Sequence, residues 1–122
     1  MIIGIGIDII EIERIEKAIE NTRLLNRIFT ATEIKYFECR KYNPSTISGN
    51  FATKEAVAKA LGTGIGKISW HDIEVLRYSG GRPYVKLHGN AEKVFATLGG
   101  TKIHVSISHS RSYAVSQVIM EG

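Results

Sequence analysis

The chain has 122 residues, 43% hydrophobic and 23% charged, with 16 basic and 12 acidic side chains for a net charge of +4. These values fit one soluble globular domain over 1–122 and exclude a disordered or fibrous chain. The basic excess suits an anionic partner or substrate but is too small to specify nucleic acid.

Cys39 is the only cysteine, so no internal disulfide can form, and a reducing, cytoplasmic compartment is expected. No stretch reaches the roughly 20 apolar residues of a membrane-spanning helix. The first ten residues lack a basic n-region and contain Asp8, so no signal peptide is expected. Neither a membrane nor nucleic acid is an expected partner, and no repeat or linker is visible.

Residues 2–8 read as a buried strand. Ile3, Ile5 and Ile7 fall on one face; Ile2, Gly4, Gly6 and Asp8 fall on the other. The two glycines thin that second face, so another backbone or a ligand can approach closely. Asp8 closes the strand, and its plain reading is an N-cap for the next helix. Residues 9–20 turn helical, with Ile12, Ile15 and Ile19 as the apolar stripe. A short second helix follows around Leu24, Leu25 and Ile28. Thr30 with Glu33 three residues on is a capping box, opening a helix to about Cys39. Arg14, Arg23, Arg27, Lys35, Arg40 and Lys41 make this third of the chain its most basic surface; the plain reading is a solvated face.

Residues 42–47 are expected as a loop carrying Pro44, and the central helix as 49–61, closed by Gly62. Phe51, Glu55 and Lys59 lie four apart on one face. Ala52, Ala56 and Ala60 run beside them and allow close packing. Spacing alone is equally satisfied by a solvated Glu55–Lys59 ion pair, worth about 0.3–0.5 kcal/mol. The run Thr63-Gly64-Ile65-Gly66 follows a helix C-terminus, the wrong end for a phosphate loop.

Residues 72–78 and 83–88 read as a hairpin, and Asn90 as the cap of a short helix with Val94, Phe95 and Leu98 on its core face. In the last hairpin, Ile103, Val105 and Ile107 alternate with polar residues, and Ser110-Arg111-Ser112 makes the turn. Strict alternation puts His109 on the isoleucine face unless the strand bulges. Ser108-His109-Ser110 offers hydrogen-bond donors to an anion, or is simply a satisfied structural segment. No glycine elbow surrounds these serines, which argues against a protease triad.

Three segments, GIGIDIIEIERI at 4–15, FATKEAVAKALGTGIG at 51–66 and HVSISHS at 104–110, together resemble the holo-(acyl carrier protein) synthases, the small branch of the 4′-phosphopantetheinyl transferases. The resemblance spans nearly the whole chain. It implies a single α+β domain that moves the phosphopantetheine arm of coenzyme A to a serine of apo-acyl carrier protein, in fatty acid biosynthesis. It further implies Mg²⁺ dependence and a homotrimer with sites between subunits.

Asp8 and Glu55 match the family's metal carboxylates, and Lys59 its lysine at the phosphate or leaving group. The serine attacks phosphorus in a pyrophosphate, so oxygen charge must be neutralised and the nucleophile oriented. Glu55 or a metal-bound water takes the serine proton. Ser108, His109 and Ser110 match the segment at the 3′-phosphate of coenzyme A, Pro83 the turn near its adenine, Gly62 the end of the central motif, and Arg14 a residue that meets the acidic carrier protein. Where the family commonly has arginine, this chain has Asn50. The expectation is one charged phosphate contact fewer, with Lys41 compensating. Two other classes are weighed: a basic nucleic-acid-binding module, which lacks interleaved aromatics, and a catalytically inactive coenzyme A-binding regulatory protein, which has no need of the acidic pair.

Overall fold

In the computed structural model, which describes residues 1–122, the chain runs β1 (Ile2–Glu11), α1 (Ile12–Ala18), α2 (Thr22–Ile28), α3 (Ala31–Cys39), α4 (Pro44–Leu61), β2 (Ile73–Arg77), β3 (Pro83–Leu87), α5 (Gly89–Thr97), β4 (Lys102–His109) and β5 (Tyr113–Glu121). The α+β class is as expected. One antiparallel sheet has the order β1-β5-β4, and β2 and β3 form a separate hairpin. The long helix α4 lies across β1 and β5.

The capping box at Thr30 and Glu33 is present in both halves, and α3 ends at Cys39 as anticipated. Of the expected loop at 42–47, Tyr42 and Asn43 do lie outside the helix, but 44–47 are the first turn of α4. Pro44 takes the first helical position, where its missing N–H costs nothing, and the Asn43 side chain accepts from the Ser45 N–H. Gly62 closes the helix with φ of 80°.

Two expectations about β1 are corrected. The strand does not end at Asp8 but continues to Glu11, and Asp8 pairs across to Ser116. Nor is it buried on both faces: Ile5, Ile7 and Ile9 are 60%, 57% and 62% exposed. They stand on the outer face with Val115 and Ile119, which pair with Ile9 and Ile5. The helix before β4 is also corrected. Asn90 lies inside α5 rather than capping it, and Leu98 is exposed.

The inner face of β1 is thin for a reason visible in its contacts. A Cβ on Gly6 would collide with the Ala56 carbonyl oxygen, and one on Gly4 with that of Ala60. Glycines on the strand and alanines on the helix bring the two backbones together. Around this contact the larger core gathers Val57, Leu61, Ile68, Ile73, Val118 and Met120. A smaller core under the first helices holds Ile15, Leu25, Phe29, Phe37 and Ile47.

Candidate active site

The close approach of β1 and α4 sets the first cluster. Asp8 lies two residues beyond Gly6, on the same face of the strand. Glu55 and Lys59 sit one turn apart on α4. Lys59 donates from Nζ to Asp8 Oδ1 at 3.1 Å and to the Ile7 carbonyl at 3.0 Å. Burial raises the Glu55 pKa above the usual carboxylate range; the Asp8 charge pushes it the same way and Lys59 opposes. The three groups thus feel one another across 51 residues of sequence. Asp8 and Lys59 border a cleft of about 350 Å³ that also touches Ile7, Ile9 and Val115 of the outer sheet face. No third histidine, cysteine or carboxylate joins the acidic pair.

A second cluster lies on the β4 side of α4. Its cavity of about 240 Å³ is lined by Tyr36, Ser45, Thr46, Gly49, Arg77, Gly81, Pro83, Ile107 and His109. The register of β4 with β5 is unbroken to His109, so the histidine stays on the face of Ile107. Ser108 consequently points to the outer face. Ser110 instead braces the turn, its Oγ accepting from the Tyr113 N–H at 3.3 Å. Of the three, only His109 lines this cavity. A neighbouring cavity of about 450 Å³ shares Tyr36, Arg77 and Gly81 and adds Arg40, Tyr78 and Tyr84. The two tyrosines stack at 4.3 Å between ring centroids.

These features can be set beside known proteins. The profile of the 4′-phosphopantetheinyl transferase superfamily matches residues 4–118. The chain belongs to this superfamily. A holo-[acyl-carrier-protein] synthase of Alkaliphilus metalliredigens is 53% identical over 98% of each chain. The solved structure of the Helicobacter pylori holo-[acyl-carrier-protein] synthase, in complex with coenzyme A, is 33% identical with a TM-score of 0.85, covering 96% of this chain and 99% of its own. The Bacillus anthracis enzyme, solved with CoA (3′,5′-ADP), is 40% identical with a TM-score of 0.80, covering 98% and 96%. The expected kinship with the holo-(acyl carrier protein) synthases is borne out, and it favours the transferase reading over an inactive regulatory protein.

Position 50 departs from the expected arginine. Asn50 is fully buried and lines none of the three spaces. Its Nδ2 donates to the Val75 carbonyl at 3.4 Å, and its Oδ1 accepts from Arg77 Nη2 at 2.7 Å. Lys41 is exposed in the turn after α3, with φ of 55°, and lines neither cavity. Gly62 is exposed at the end of α4 and borders none of the three spaces. Arg14 is exposed on α1.

Sequence reasoning missed Arg77. The signal was there: Ile73, Val75 and Arg77 share the inward face of β2, so a cation stands in an apolar alternation. It also missed the pairing of Glu33 with Lys54, both fully buried and 2.7 Å apart. Burial pushes Glu33 up and Lys54 down, and their mutual attraction pulls each back. Lys54 stands seven residues from both Ile47 and Leu61, on the buried stripe of α4.

Proposed function

We propose that the chain transfers the 4′-phosphopantetheine group of coenzyme A to a serine of apo-acyl carrier protein. The other product is adenosine 3′,5′-bisphosphate, and the reaction serves fatty acid biosynthesis in the cytoplasm. The observation that carries this reading is the grouping of Asp8, Glu55 and Lys59: Asp8 and Lys59 are joined at one cleft, and Glu55 feels the charge of both. The serine Oγ bonds to the β-phosphorus as the bond to the bridging oxygen breaks, and that oxygen leaves on the bisphosphate. Lys59, exposed at the cleft rim, neutralises charge on the phosphate oxygens and the departing group. Glu55, partly buried on α4 beside Lys59, takes the proton released by the serine at its carboxylate.

Two carboxylates without a third ligand fit Mg²⁺, which keeps waters and substrate oxygens in its shell. The repulsion between Asp8 and Glu55 is what a cation would relieve. Asp8 and Glu55 would hold the ion, which when bound supplies charge neutralisation at the pyrophosphate.

The reading includes a homotrimer with shared sites. Two observations support it. The isoleucine row of β1 stands uncovered. The Asp8 cleft and the His109 cavity share no residue, although one coenzyme A must reach both. Arg14 on α1 receives the acidic carrier protein. Arg14→Glu should raise the carrier KM about tenfold at low salt and leave coenzyme A affinity unchanged; an unchanged KM removes this role.

The test of the whole reading is incubation with coenzyme A, Mg²⁺ and an apo-carrier protein. The expected result is the phosphopantetheine mass increment on the carrier. Mixed Glu55→Ala and His109→Ala subunits should recover part of the activity that each lacks alone. No mass increment rejects the transferase reading, and no recovery despite verified subunit exchange rejects sites shared in this way.

A further inference from the structure

Arg77 is a partly buried cation with no carboxylate in direct contact; the buried Glu33 attracts it from behind Asn50. Its guanidinium donates to Asn50 Oδ1 at 2.7 Å and to the Leu76 carbonyl at 3.4 Å, and lies 5.3 Å from the Tyr36 ring centroid. The groups it touches are neutral, no ion pair within 4.0 Å includes Arg77, and the nearby Glu33 is already paired with Lys54. Arg40 lies against the same ring at 5.1 Å. Two guanidinium groups therefore share one aromatic ring, and no carboxylate lines either cavity that Arg77 borders. Burial disfavours the charge on Arg77, and with Glu33 engaged by Lys54 an anion in the cavity would complete the guanidinium. The planar fork suits a phosphate, and Asn50 fixes its orientation from the sealed side.

We infer that Arg77, held in place by Asn50, is the guanidinium that binds the 3′-phosphate of coenzyme A in this chain. The inference rests on the coenzyme A reading above. The choice among phosphates follows from placement. The pyrophosphate must reach Asp8, Glu55 and Lys59, and the cleft at Asp8 and Lys59 contains neither Arg77 nor His109. The phosphomonoester is the remaining anion, and Arg77 shares its cavity with His109 and Pro83. The cation thus comes from the β2–β3 hairpin, not from position 50 of α4 or from Lys41.

The experiment is calorimetric binding of coenzyme A and of 3′-dephospho-coenzyme A to the wild type, Arg77→Gln and Arg77→Lys. Arg77→Gln should weaken coenzyme A binding about 10- to 30-fold, the range of one charge-assisted contact, and change dephospho-coenzyme A by less than about twofold. Arg77→Lys keeps the charge without the fork and should lose about three- to tenfold, again only for coenzyme A. Retained dephospho-coenzyme A binding shows that the variant is folded; if Arg77→Gln does not fold, Arg77→Lys decides by the same selectivity. Equal losses for both ligands, or no loss for either, overturn the role of Arg77 while leaving the transferase reading intact. A wild type that binds neither ligand and transfers nothing overturns both.

Discussion

Lys54 and Glu55 are neighbours in the chain and have opposite surroundings. Lys54 turns inward and is fully buried; its ammonium meets Glu33 at 2.7 Å, the Trp70 carbonyl at 3.0 Å and the Ile73 carbonyl. Those contacts occupy all of its donors. Glu33 in turn accepts from the N–H groups of Thr30 and Val75. Glu55, one position on, is only partly buried, has no ion-pair partner within 4.0 Å, and feels Asp8 against it and Lys59 for it. Saturated charges tie α3, α4 and the approach to β2 into one unit. Unsaturated charges are left where a substrate and a cation can finish the set. Chemical type does not distinguish the two; the completeness of the hydrogen bonding does.

The sharpest way to break this comparison is to remove one partner of the sealed pair. Lys54→Ala leaves Glu33 buried without its cation and should cost about 3–5 kcal/mol of unfolding free energy, read by urea denaturation. The double variant Glu33→Leu, Lys54→Met should recover most of that loss, because the desolvation cost disappears with both charges. A single-variant loss below about 1 kcal/mol would show that water or a rearranged partner satisfies Glu33, and the contrast would fail.

The open cluster should respond in the opposite way. Asp8→Ala and Glu55→Ala should each lower phosphopantetheine transfer at least about a thousandfold, equivalent to roughly 4 kcal/mol of barrier. Their unfolding free energies should stay within about 0.5 kcal/mol of wild type, since each removal also relieves repulsion between two acids. Near-normal turnover in both variants would remove the pair from the chemistry.

What could be read in advance divides along similar lines. Local signals were legible: the Thr30–Glu33 capping box, the Gly62 stop and the alternation that puts His109 on the Ile107 face all depend on residues close in sequence. The glycine face of β1 and the alanine face of α4 were each visible, and their contact follows once both are small. Pro44 misled because the same residue breaks a helix interior and opens a helix at its first position. The partners of Asn50 and Lys54 lie on β2 and α3, so neither could be read from the motif that contains them. The outer isoleucines of β1 misled in another way. Periodicity says which residues share a face, but not whether this chain or another covers it.

The smallest expected effect concerns pH and separates the two clusters most cleanly. Burial, with Asp8 beside it, raises the Glu55 pKa in the folded chain, whereas the unfolded chain titrates near the ordinary value of about 4.3. Below that value the carboxyl is protonated in both states and carries no penalty. As pH rises through the folded pKa, the folded chain ionises a disfavoured group and loses stability. Glu55→Gln cannot ionise, so its stability advantage over wild type should be near zero at pH 4 and positive at pH 7. Glu55 is only partly buried, and solvent screening should hold the gain below about 1 kcal/mol. The measurement is paired thermal unfolding from pH 4 to 8 with chelator present, so that the bare carboxylate titrates. Adding Mg²⁺ and coenzyme A should then stabilise the wild type more than the variant, because only the wild type keeps both acids for the ion. A stability difference that does not change with pH would mean that Glu55 is solvated like any surface acid, and its place in the unsaturated cluster would be lost.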